Sequence, residues 1–207
     1  MFKGSSAPAD PLPVMEAFYT IQGEGFHQGK AAFFIRLAGC DVGCHWCDVK
    51  ASWNTEGYPR YTLEQLVEMA LNHPSKLVVI TGGEPLMYDL SLLTKQLRKA
   101  GFAVNLETSG AYPFSGKWDW VCFSPKKFKA PLNEVMSEAD ELKIIIHNKN
   151  DFAWAESFLH RVRKECRLYL QPEWDKMHKM MPSIVKYIKA HPSWEISLQT
   201  HKFMDIP

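Results

Sequence analysis

The chain has 207 residues, 46% of them apolar, which is enough to bury one full core and argues for a single domain. Its 24 Lys and Arg against 23 Asp and Glu give a net charge of +1, dispersed along the chain, so neither a nucleic-acid stripe nor an anionic-membrane patch is indicated. No apolar run approaches the roughly 20 residues that a bilayer span needs.

Met1 to Pro13 carries one lysine, three prolines and no apolar core of a secretory signal, so residues 1–13 read as a flexible leader ahead of one domain, 14–207. Val14 to Ile21 reads as a short strand that runs into the turn Gln22-Gly23-Glu24-Gly25. Ala32 to Leu37 is an apolar strand broken only by Arg36, which is either a snorkelling edge residue or a ligand clamp, and it feeds the cysteine-rich loop Gly39 to Asp48. Thr62 to Gln65 forms a capping box, followed by Leu63, Leu66, Val67 and Ala70 at helical spacing. Lys76 to Thr81 is a β-branched run of strand length that stops at Gly82-Gly83-Glu84-Pro85. A helix is expected from about Asp89 to Ala100, then strands Phe102–Glu107, Trp118–Phe123 and Glu141–Ile146. A helix over about Asp151 to Val162 would turn Phe152, Ala155, Phe158, Leu159 and Val162 inward. Strand Arg167–Leu170 follows, then a last helix with Pro182 as its first residue, and a strand over Trp194 to Gln199.

Strands alternating with helices argue an α/β fold with a parallel sheet and right-handed crossovers. About six such strands fall short of the eight of a closed barrel, so the expected fold is a partial, open (βα) TIM-like barrel. Chemistry in such folds gathers at the C-terminal ends of the strands, and the polar punctuation falls there: the cysteine loop, Gly82 to Pro85, Thr108-Ser109, Ser124-Pro125-Lys126 and Gln171.

Cys40, Cys44 and Cys47 stand at C-x3-C-x2-C spacing, letting three soft thiolates converge from one loop. Cys122 lies in an apolar run and Cys166 is isolated, so neither supplies a fourth ligand at motif spacing. The economical reading is a [4Fe-4S] cluster with one iron open to an exogenous ligand; a zinc knuckle using His45, or reduced core cysteines without a role, are the alternatives. Five cysteines with three clustered as thiolates suit a reducing cytoplasm.

That spacing, with Trp46 before the last cysteine and Gly82-Gly83-Glu84-Pro85 ending a buried strand, resembles the radical S-adenosylmethionine (SAM) superfamily. The resemblance implies a [4Fe-4S] cluster whose open iron chelates SAM, and reductive cleavage to a 5'-deoxyadenosyl radical. Ile21 to Gly25, Arg36 to Cys40, Cys47-Asp48, Thr81 to Pro85, Glu107 to Gly110, Ser124 to Lys126 and Gln199 to Lys202 are together similar to the 7-carboxy-7-deazaguanine synthase family. That likeness, over about Val14 to Pro207, implies a lyase that converts 6-carboxy-5,6,7,8-tetrahydropterin to 7-carboxy-7-deazaguanine with release of ammonia, in queuosine biosynthesis. The nearest alternative within the superfamily is a glycyl-radical activating enzyme.

By position, the resemblance implies that Cys40, Cys44 and Cys47 ligate the cluster. Trp46, Cys47, Asp48, Gly83, Glu84, Ser109, Ser124 and Lys126 would hold SAM, and Gln22, Gly23, Glu24, Arg36, Thr81, His201 and Pro207 the pterin. The apolar, proline-stiffened end at Pro207 suits a docked terminus whose carboxylate accepts from the pterin. Family members often place a threonine two residues after the last cysteine, where it ligates Mg2+; here that residue is Val49. Asp48 with water and substrate could hold the ion, Lys50 or another cation could replace it, or the chain could work without it. The resemblance further implies an electron donor such as a flavodoxin or ferredoxin and a homodimer, with no direct nucleic-acid or membrane partner.

Overall fold

The computed structural model describes residues 10–207, so most of the expected leader lies outside the described residues. The elements, in chain order, are β1 (Leu12–Ile21), β2 (Ala31–Leu37), β3 (Arg60–Tyr61), α1 (Leu63–Leu71), β4 (Leu77–Gly82), α2 (Ser91–Lys99), β5 (Ala103–Thr108) and β6 (Trp120–Phe123). They continue with α3 (Asn133–Glu138), β7 (Glu141–Ile146), α4 (Asn150–Glu156), β8 (Arg167–Pro172), α5 (Met177–Ala190), β9 (Trp194–Ile196) and α6 (Thr200–Met204).

The nine strands form one sheet in the order β3-β1-β2-β4-β5-β6-β7-β8-β9. From β2 to β9 every neighbouring pair runs parallel, while β1 lies antiparallel between β2 and β3. The sheet has two edges and does not close, which makes it an open, partial barrel; β3, which was not expected, pairs with β1 at one edge.

The two-residue period of the strands sorts their side chains. Phe33, Ile35, Leu37, Val78, Ile80 and Val104 face α1 and α2 in one apolar cluster. Leu106, Val121, Leu142, Ile144 and Leu170 join Val135, Phe152 and Ile184 from α3, α4 and α5 in a second. The alternate residues Arg36, Thr81, Glu107, Lys143 and Gln171 line a cavity on the concave side. Pairing aligns them: Arg36 is opposite Thr81, and Ile145 opposite Gln171.

Three expectations are corrected. Pro182 is inside α5, which starts at Met177, because a tight turn at Trp174–Lys176 leads into it and buried Met180 anchors the turn before the proline. The helix expected to Val162 ends as α4 at Glu156; Ser157, Phe158 and Leu159 continue with tighter i to i−3 bonds, which rotates Leu159 outward to 36% exposure. The last strand is only Trp194–Ile196, and beyond it Thr200–Met204 is helix. Among the described residues, no helix is long and apolar enough to cross a membrane.

Candidate active site

The cysteine loop leaves the end of β2 and is tied down by backbone bonds: Gly39 N–H to the Ser52 carbonyl (2.7 Å), Cys40 N–H to Trp53 (3.2 Å) and Cys47 N–H to Cys44 (3.0 Å). Cys40, Cys44 and Cys47 all line one cavity of about 400 Å³ on the concave face of the sheet. Burial pushes the Cys44 thiol up to about 11 and raises that of Cys40, so a bound cation would have to draw these protons off.

His45 is not part of this wall: its ring packs edge-on against Phe128 and His147, at 5.2 and 5.5 Å between centroids. Cys122 and Cys166 are buried in the core away from the cavity. Among the described residues, no three His, Cys, Asp or Glu are gathered to grip a single metal ion. Three loop thiols facing one cavity fit a [4Fe-4S] cluster, in which each cysteine binds a different iron and one iron stays open.

Gly82 to Pro85 packs directly on that loop. Gly83 N–H donates to the Leu37 carbonyl and Glu84 N–H to the Gly39 carbonyl, both at 2.9 Å. A Cβ at Gly83 would stand 2.2 Å from the Gly39 carbonyl oxygen, and Gly82 adopts φ +142° with Leu37 backbone as close as 2.1 Å to its missing Cβ. The glycines are thus required by contact with the cysteine loop, beyond any approach to a ligand. Buried Glu84 accepts from Thr108 Oγ1 (2.5 Å) and Leu86 N–H (3.1 Å) on one oxygen, and from Ser109 N–H (2.8 Å) and Oγ (2.5 Å) on the other. Both oxygens are engaged, so in this structure the residue locks the ends of β4 and β5 together. Lys126 donates to the Ser124 carbonyl and, at 2.7 Å, to its hydroxyl.

The opposite wall is polar. Gln22 donates to Glu107 Oε1 (2.8 Å) and accepts from Glu24 N–H (3.1 Å). Lys143, almost fully buried, bridges Glu24 Oε2 at 2.5 Å and Glu107 Oε2 at 3.1 Å. Burial pushes the Lys143 ammonium down, but the anionic groups around it, Glu107 and Glu24 among them, outweigh that and hold it well above its usual value. Burial pushes Glu24 up, and the same lysine, together with His201 and Gln199, more than reverses this.

The C-terminal segment closes this wall. Thr200 donates to the Gly23 carbonyl through N–H and Oγ1, both at 2.9 Å, and His201 packs so tightly that a Cβ at Gly23 would lie 2.3 Å from its Nδ1. Burial lowers the His201 pKa although Glu24 pulls it up. Thr20 Oγ1 donates to the Pro207 oxygen at 3.2 Å. Arg36 donates from Nε to Glu16 at 2.5 Å and lies 5.8 Å over the Phe18 ring while lining the cavity.

The residues assigned from the sequence to the cluster, SAM and the pterin all line this one cavity: the three cysteines, Trp46, Asp48, Gly83, Glu84, Ser109, Ser124 and Lys126, together with Gln22, Gly23, Glu24, Arg36, Thr81, His201 and Pro207. Sequence reasoning assigned no role to Glu107, Lys143, Trp174 or Lys202, which line it too. A signal for Lys143 existed, since a lone lysine inside Glu141–Ile146 is as anomalous as Arg36 in its strand.

Comparison with known proteins agrees with this geometry. The profile of the radical SAM superfamily matches residues 34–123. The 7-carboxy-7-deazaguanine synthase of Flavobacterium psychrophilum is 54% identical over 95% of this chain and 93% of its own length. That of Synechocystis sp. is 47% identical over 94% and 93%. The crystal structure of QueE from Escherichia coli superposes with a TM-score of 0.83 at 30% identity, covering 91% of this chain and 93% of that one. With relatives this similar along nearly its whole length, the chain belongs to the 7-carboxy-7-deazaguanine synthase family of radical SAM enzymes.

Proposed function

We propose that this protein converts 6-carboxy-5,6,7,8-tetrahydropterin to 7-carboxy-7-deazaguanine with release of ammonia, a step toward queuosine and the tRNA modifications built from it. The observation that carries this reading is a single cavity joining a three-cysteine wall to a wall of carboxylate and amide groups. When bound, the cluster and SAM supply one-electron cleavage of a sulfonium and hydrogen-atom abstraction.

The chain's own residues place the reactants. Cys40, Cys44 and Cys47 hold the cluster, and Gly83, Ser109, Ser124, Lys126 and the Trp46 to Asp48 segment surround SAM. Glu24, kept ionised by Lys143, and Glu107 accept from the amino-pyrimidine N–H groups of the pterin, and Gln22 and His201 fix its plane. The terminal nitrogens of Arg36, beyond the Nε held by Glu16, face the substrate carboxylate.

A cytoplasmic homodimer reduced by a flavodoxin or ferredoxin completes the proposal; clustered thiols needing a reducing compartment support the location, and the family likeness alone supports the dimer and donor. The glycyl-radical activating alternative is not carried forward, since relatives of one name match nearly the full chain. The test is anaerobic incubation of cluster-loaded protein with SAM, dithionite and the carboxytetrahydropterin. Equimolar deazaguanine and ammonia are expected; intact pterin while SAM is cleaved would overturn the reading.

A further inference from the structure

Beside the cluster loop, Val49 stands at the position where the family resemblance implies, in many members, a threonine that ligates Mg2+. The residues present do not fit a divalent ion there. Val49 has no side-chain oxygen, and its carbonyl already accepts from Ser52 N–H (3.0 Å) and Ser52 Oγ (2.7 Å). Asp48 Oδ2 accepts from Lys202 Nζ at 2.8 Å and from Gln199 Nε2 at 3.2 Å, which leaves one carboxylate oxygen, Oδ1. Mg2+ demands six oxygens in near-octahedral array at about 2.0–2.1 Å. The Lys202 ammonium fixed beside the Asp48 carboxylate repels a divalent ion there.

We propose that the Lys202 ammonium is the resident cation of this position, neutralising Asp48 and offering its remaining donors to the carboxylate of the substrate. Several observations converge on this lysine. It lines the cavity together with Asp48 and Val49, whereas Lys50 does not. Its nitrogen lies 4.8 Å over the Trp174 ring, and only 22% of its side chain is exposed. Its helix, α6, is fastened at Thr200 by the two bonds to the Gly23 carbonyl, so the ammonium is positioned from the pterin wall. An ammonium has three donors and no acceptor; one goes to Asp48, and the others remain for anionic oxygens in the cavity. Arg36, paired with Glu16, is a separate cation on β2 and does not compete for Asp48.

The proposal rests on the pterin reading above, and its test separates the two. Mn2+, which shares the oxygen preference of Mg2+ and is visible by electron paramagnetic resonance, serves as the metal probe. It is titrated into cluster-loaded protein with SAM and the carboxytetrahydropterin, and pterin affinity is measured separately after exhaustive chelation. Wild-type protein is expected to keep its pterin affinity in chelator and to bind no Mn2+ in the cavity. Lys202→Met, which keeps an apolar stem on Trp174, should lose pterin affinity about tenfold in chelator with SAM affinity unchanged. Lys202→Arg should restore most of it. The double variant Lys202→Met, Val49→Thr should recover affinity only when Mn2+ is added. A wild-type protein that binds the pterin only with one Mn2+ per chain, or a Lys202→Met protein with unchanged pterin affinity, overturns this proposal alone. A wild-type protein with no pterin affinity under any condition overturns the functional reading, and this proposal with it.

Discussion

The Lys143 ammonium lies 2.5 Å from the Glu24 carboxylate, 119 positions away in sequence, and this pair joins the turn after β1 to the middle of β7. Removing one partner of a buried ion pair strands the other, at a cost of about 3–5 kcal/mol. Lys143→Met should therefore lower stability by that order, since it leaves Glu24 and Glu107 facing each other. Lys143→Met with Glu24→Gln should recover part of the loss. Urea unfolding of the three variants checks this; additive losses would show that the pair is not coupled.

The same pair sets a pH dependence. Glu24 has its carboxyl held below its ordinary value of 4.5, so its contribution is fully present above pH 4.5 and fades as pH falls through the lower, folded value. Burial raises Glu141 and gives it the opposite sign, so the comparison is best made as a difference. The stability gap between wild type and Glu24→Gln should be widest above pH 4.5 and shrink below it. A gap independent of pH would remove the electrostatic account of this residue.

At Gly83 a methyl group would meet the Gly39 carbonyl at 2.2 Å and Cys40 Cβ at 2.8 Å, and backbone cannot swing aside as a side chain does. Gly83→Ala is expected to displace Cys40 and depress iron content while far-ultraviolet circular dichroism stays native. Gly29→Ala is the control, at φ +86° but with open space around it; only the left-handed strain of about 1–2 kcal/mol applies, and iron should be retained. Equal iron in both variants would contradict the packing of the glycine turn on the cysteine loop.

Cys44→Ala should abolish iron and sulfide binding, and Cys122→Ala should leave both intact. The first lines the cavity; the second is buried within β6, opposite Glu141 of β7, where a small apolar side chain can replace it. Iron loss in Cys122→Ala as complete as in Cys44→Ala would refute the three-ligand wall.

Much of this was legible in the residues themselves. Strand β7 occupies the expected Glu141–Ile146, because a β-branched run bounded by polar residues has no other comfortable place than a buried strand. The capping box at Thr62 and Gln65 closes as its spacing requires. Helix α6 was not legible: five residues carry no apolar period, and long-range bonds from Thr200 to Gly23 hold it in place. Pro182 misled because proline favours a helix start, while the turn before it is anchored by Met180, whose burial is a tertiary fact. The cysteine loop and the glycine turn announced themselves by spacing. Lys202 did not, and Lys143, although anomalous within its strand, gave no sign of its partner, since the two lysines pair with residues 154 and 119 positions away.

The proposed reaction requires one cavity to hold the cluster and the pterin in contact. It is tested most directly by recording the electron paramagnetic resonance spectrum of the reduced, SAM-bound cluster while the carboxytetrahydropterin is titrated in. A saturable change in the spectrum at one pterin per chain, lost in Glu24→Gln at the same pterin concentrations, is the result expected. A spectrum that stays unchanged while the pterin demonstrably binds would place the two sites apart and rule out a shared cavity.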